Sequence, residues 1–142
     1  MTEATRAHRG TGGSPLTAGF WDAAAHRTLV RPVCAACGKN FFSPQIACPR
    51  CLSEEWVYEP SSGRGTIYSA TVVHRAPYPG VTAPYRLAIV DLEEGWSMLA
   101  TVDGDPLAPL AIGTPVRVGW RTGADGRVIP VFAVDPGSDP GM

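Results

Sequence analysis

The stretch Cys34-Ala-Ala-Cys37-Gly-Lys-Asn-Phe-Phe-Ser-Pro-Gln-Ile-Ala-Cys48-Pro-Arg-Cys51 decides how the first half of this chain is read. Two Cys-x2-Cys pairs stand ten residues apart, and they hold all four cysteines of the 142-residue sequence. Two intervening residues let a tight knuckle turn both sulfurs toward one ion. Two knuckles then supply four thiolates in a tetrahedron, with Zn–S near ~2.3 Å. Cys34, Cys37, Cys48 and Cys51 are therefore the expected metal ligands. Gly38 follows the first knuckle, where a positive φ is often needed. Leu52 occupies the matching place after the second and departs from that pattern. Between the knuckles, Lys39 to Pro44 reads as a hairpin, with Phe41 or Phe42 covering the cluster.

Four protein thiolates leave no open position for water or substrate, so a structural zinc ion is expected. Iron in a rubredoxin-like electron carrier is the alternative, although nothing else in the sequence points to electron transfer. Two disulfides would need an exported chain, and the polar, Gly-rich start from Met1 to Ser14 lacks the apolar run of an export signal. With no stretch near the roughly 18 apolar residues of a spanning helix, a soluble cytoplasmic protein is expected. Residues 1–14 read as a disordered arm and 136–142 as a frayed tail.

Outward from the cysteines, residues 15–27 read as a short helix capped by Thr17, with Phe20, Ala24 and Trp21 on its apolar stripe. Leu29 to Val33 leads as a strand into Cys34, and a second strand starts at Trp56. The helix and ribbon thus span 15–60. From residue 61 to 135 the rhythm is β. Thr66–Arg75, Tyr85–Leu92, Trp96–Val102, Val116–Arg121 and Val128–Val134 read as five strands. The Glu93-Glu-Gly95 turn fits a hairpin, and Glu93 and Glu94 read as a solvated charge pair. Five strands with a longer link between the third and fourth match the Greek-key barrel called the OB-fold, and an SH3-like barrel is the rival. The fold class is mainly β.

The charge balance restricts function. Formal net charge is −1, with 44% hydrophobic and 18% charged residues. Over 61–135 six arginines face seven acidic residues, so counterion release would contribute little to nucleic-acid binding. A single-stranded nucleic-acid module, which both ribbons and OB-folds often form, is kept as the alternative function. If the thiols hold metal, no cysteine nucleophile remains. Glycine-rich phosphate loops and hydrolase elbows are absent from the sequence. No catalytic residue is assigned.

In order along the chain come Phe20-Trp21, Cys-x2-Cys-Gly, Phe-Phe-x-Pro, Cys-Pro-x-Cys, Gly65-Thr-Ile-Tyr-Ser-Ala-Thr-Val-Val-His74 and Ile112-Gly-x-Pro-Val-Arg-Val118. Together they resemble the zinc-ribbon/OB-fold family of thiolase-associated proteins, over roughly residues 15–134. The resemblance implies a non-catalytic subunit that docks on a thiolase-fold acyl-CoA enzyme (a thiolase, a condensing enzyme or a steroid side-chain retro-aldolase). It also implies a role in shaping that enzyme's acyl-CoA entrance. The Pro-rich loop from His74 to Tyr85 is the candidate contact. Its residues His74, Arg75, Tyr78 and Tyr85, with Arg86 beyond it, are the expected partner or CoA contacts.

Overall fold

A computed structural model describes residues 14–123 and 125–136. The expected disordered arm and frayed tail lie, but for Ser14 and Pro136, outside these residues. Helix α1 (Ala18–Ala25) leads into strand β1 (Val30–Cys34), which pairs antiparallel with β2 (Trp56–Pro60). The helix is shorter than the sequence suggests, because Arg27 takes a left-handed conformation at φ 57° and ends it. Thr17 does not cap it through its side chain. Thr17 already has near-helical angles, and its hydroxyl pairs with Ser14 instead.

Strands β3 (Arg64–Val73), β4 (Tyr85–Leu92), β5 (Trp96–Val102), β6 (Pro115–Thr122) and β7 (Val128–Val134) close a barrel in the order β3-β4-β5-β7-β6. The parallel contact of β5 with β7, registered at Val102 and Phe132, completes the circuit. Sequential hairpins plus this one crossover are the OB arrangement, so the SH3-like alternative falls. Strict alternation drives the strands. On β4, residues 86, 88, 90 and 92 point inward and are buried, while their neighbours are half-exposed. Ile67, Val90, Val116 and Phe132, each at most 1% exposed, fill the barrel.

The ribbon is joined to the barrel by one continuous core. Phe20, Leu29 and Val30 belong to the same buried cluster as the barrel residues. Phe42 stacks at 5.5 Å on Phe20 and at 5.3 Å on Trp96, so it bridges the two parts. Polar groups follow the same seam. Buried Arg31 donates through Nε to Asn40 Oδ1 at 2.9 Å and through Nη1 to the carbonyls of Glu59 and Pro60. Asn40 Nδ2 in turn donates to the Glu94 carbonyl at 2.8 Å.

Glu94 corrects the sequence reading. Glu93 is exposed and meets Arg64 at 3.5 Å, as a solvated residue would. Glu94 instead turns inward and accepts from the Ser61 hydroxyl and the Ser62 N–H, both at 2.6 Å. Burial alone would raise its pKa, but these donors outweigh it and hold the carboxyl below the ordinary 4.5. The sign follows from linkage. A depressed folded pKa contributes stability above the unfolded value, and that contribution is lost as pH falls through the folded one. Glu94→Gln is therefore expected to flatten the loss of thermal stability that the parent shows on acidification from pH 5 to pH 3. Identical pH profiles of melting temperature for the two proteins would contradict the clamp.

Candidate metal centre

Both cysteine pairs sit on tight turns anchored by strands. β1 delivers Cys34, and the Val33–Asn40 bridge closes the first knuckle behind it. Gly38 N–H bonds to the Cys34 carbonyl at 2.9 Å, and Leu52 N–H bonds to the Cys48 carbonyl at 2.9 Å, so the two knuckles repeat one geometry. Gly38 has φ 78° and Leu52 has φ 67°. The departure noted at Leu52 is thus one of residue type, not of backbone. A side chain in this conformation costs roughly 1–2 kcal/mol relative to the right-handed region. Leu52 is also 74% exposed, so little packing offsets that cost. Leu52→Gly is expected to stabilise the protein by about 1 kcal/mol, read as a rise in denaturation midpoint; a fall would refute this account.

The four Sγ atoms lie within 4.8 Å of one another, with Cys34–Cys51 at 3.5 Å and Cys37–Cys48 at 3.7 Å. A tetrahedron around an ion with ~2.3 Å metal–sulfur bonds has edges of about 3.8 Å. The thiols are already arranged for one ion. Backbone N–H groups of Cys37 and Arg50 point at the Cys34 and Cys48 sulfurs, each at 3.4 Å. The Cys37 N–H is the chief cause that brings the Cys34 thiol down to about 6, against the effect of burial. At Cys48 burial is likewise opposed, and overcome, by the N–H groups of Cys51 and Arg50. The Ser53 N–H favours the Cys51 thiolate, yet Cys34, burial and the other sulfurs push that thiol up to about 11. Four thiolates at these distances repel one another, and a divalent cation removes the repulsion by binding all four. The donor set fits a soft, tetrahedral ion such as Zn2+ and leaves no coordination position for a substrate.

Phe41, not Phe42, covers the cluster. It is buried with Cys34 and Cys48 and stacks edge-on against Trp56 at 5.7 Å. Cys34 and Cys48 are buried while Cys37 and Cys51 face solvent.

The expected contact residues lie at the far end of the barrel. A cavity of about 810 Å3 opens there between the loop 77–85 and the segment 101–106, with Arg121, Asp125 and Ile129 on its third side. Tyr78, Tyr85 and Arg86 line it; His74 and Arg75 are exposed but outside its lining. Arg86 differs from the surface contact expected. It is 6% exposed, and its guanidinium donates to the carbonyls of Asp103 at 2.5 Å and Ala108 at 3.5 Å. Its place in the inward register with Ala88, Val90 and Leu92 is the signal that could have revealed this.

A four-thiol ribbon packed on a closed OB barrel defines a class of two-part β proteins. Residues 21–57 match the family model described as the ChsH2 rubredoxin-like zinc ribbon domain, and residues 58–121 match the ChsH2 C-terminal OB-fold domain. The solved structure titled Ltp2-ChsH2(DUF35) aldolase contains a similar chain, 33% identical, with a TM-score of 0.78 over 86% of this chain and 96% of that one. The chain belongs to this ChsH2/DUF35 zinc-ribbon and OB-fold family. Among curated proteins it is similar to a probable enoyl-CoA hydratase alpha subunit of Thermomonospora curvata, 36% identical over 80% of this chain and 36% of the relative. It is also similar to the benzoylsuccinyl-CoA thiolase subunit BbsA of Geobacter metallireducens, 35% identical over 51% of this chain and 48% of the relative. The chain thus spans about a third to a half of the length of these two curated relatives.

Proposed function

We propose that this chain is a non-catalytic accessory subunit that docks on a thiolase-fold acyl-CoA enzyme and helps shape its acyl-CoA entrance. The similarity to nearly the whole length of a chain in an aldolase assembly carries this reading. The names of the thiolase and hydratase subunits agree with it. Zn2+ held by the four cysteines is its structural ion, and the cytoplasm is its proposed compartment. Among the described residues no helix is long and apolar enough to cross a membrane.

The barrel surface supports a protein partner. On β4, Tyr85, Leu87 and Ile89 alternate with the buried positions and so face outward, and Leu99 of β5 stands opposite Ile89. An outward row on an antiparallel strand is ordinarily polar, so this apolar one suits burial against another subunit. The exposed His74, Arg75 and Tyr78 extend the same side of the barrel as contact residues. The barrel's arginines do not form a basic groove. Arg64 pairs with Glu93, Arg117 with Asp135 and Arg121 with Asp103, and Arg86 is buried. That arrangement disfavours the nucleic-acid alternative.

A tagged chain purified from its native cells should retain a thiolase-fold subunit in a complex stable to gel filtration. An isolated monomer that ignores every such protein, or that turns over a thioester unaided, would overturn the proposal.

A further inference from the structure

The barrel-end cavity and the charges around it distinguish the parts of a thioester ligand. Its volume of about 810 Å3 falls within the range of small-molecule sites, on the order of 300–1,000 Å3. Proline and tyrosine dominate one wall, with Pro77, Tyr78, Pro79, Pro84 and Tyr85, and Ile129 lies opposite. The hydroxyls of Tyr78 and Tyr85 bond to no other described residue, so both are available as donors. The lining charges are two arginines and two aspartates, Arg86 and Arg121 against Asp103 and Asp125. Arg121 is engaged by Asp103. The Arg86 guanidinium is buried beneath two carbonyls, with its Nε inaccessible and without an acceptor among the described residues. A polyphosphate entering here would meet two carboxylates and no exposed, unpaired cation. An apolar body with a carbonyl oxygen would meet aromatic faces and two phenol donors.

We infer that this cavity binds the uncharged, apolar acyl portion of a thioester, with the nucleotide phosphates held outside it. This deepens the proposed function and rests on it for the ligand class. Arg86 acts as a positioning residue, since its bonds to Asp103 and Ala108 hold the wall formed by the 103–106 segment.

The full zinc-loaded chain can be titrated with the biphenylcarboxylic thioester of N-acetylcysteamine, which has no phosphate, and separately with free CoA. The thioester should produce saturable amide shifts at residues 78–85 and 103–104, and CoA should produce none there. Tyr78→Ala, at a half-exposed side chain, should weaken thioester binding at least 10-fold while leaving the melting temperature unchanged. Tyr85→Phe should weaken it less. Shifts of those amides by CoA, no shifts by the thioester up to its solubility, or unchanged affinity in Tyr78→Ala would each overturn the inference. Partner capture is measured independently, so failure here is separable from failure of the docking proposal.

Discussion

Cys48→Ser is expected to yield an insoluble chain without bound metal, where the parent holds one zinc ion per chain. The ribbon has almost no core of its own. Its buried cluster is Cys34, Phe41 and Cys48, with Trp56 packed against them. Such a set cannot offset the entropy of ordering two knuckles and their hairpin. Metal binding supplies what the core lacks, at about 10–16 kcal/mol of apparent free energy in small zinc peptides. That exceeds or equals the whole stability of a typical domain, about 5–15 kcal/mol. Serine at position 48 removes a buried thiolate and leaves a hydroxyl facing three sulfurs that now repel one another. The damage spreads because Leu29 and Val30, immediately before the first knuckle, are part of the barrel's core cluster. Strong chelation of the parent should have the same effect, seen as loss of zinc by atomic absorption together with loss of solubility. A soluble Cys48→Ser protein with an unchanged denaturation midpoint would show that the ion is dispensable.

Local pattern made part of this structure legible and hid the rest. The bounds of β4, β5 and β7 agree with the sequence reading because each strand alternates inward and outward residues between clear turn signals. The knuckles were readable because a four-residue spacing encodes their whole geometry, and Gly38 supplies the positive φ that the turn requires. Leu52 shows the limit of that logic. The backbone repeats the first knuckle, yet no glycine marks it. Arg27 likewise ends α1 without the expected residue. The polar seam was invisible for a different reason. Asn40 and Glu94 are 54 positions apart, and Arg31 reaches Pro60 across 29. Glu94 looked like half of a solvated pair because its donors, Ser61 and Ser62, belong to a distant turn. Long-range satisfaction of polar groups leaves no periodicity to read. The choice between Phe41 and Phe42 was open for the same reason. Adjacent aromatics on a hairpin face opposite sides, and only the packed structure says which side holds the sulfurs.

Trp96→Ala is expected to cost about 3–5 kcal/mol, the usual range for a buried tryptophan, and to split one unfolding transition into two. Trp96 is 4% exposed and starts β5 directly after the turn that carries Glu94. Its ring packs on Phe42 from the ribbon hairpin, and Phe42 packs on Phe20 from α1, so one side chain connects three segments. Its indole N–H also reaches Glu94 Oε1 at 3.4 Å, beside the bonds that hold Ser61 and Ser62. Truncation therefore opens a cavity where apolar and polar seams meet. For a chain of this size the loss corresponds to a fall in melting temperature on the order of 10–20 °C. The metal site should survive, because Phe41 and Trp56 cover the sulfurs without help from Trp96. Zinc release and loss of barrel structure would then occur at different temperatures in the variant and together in the parent. A single transition lowered by less than about 1 kcal/mol, with zinc still lost in step, would mean that the ribbon and barrel are held together by Arg31, Asn40 and Glu94 rather than by the aromatic stack.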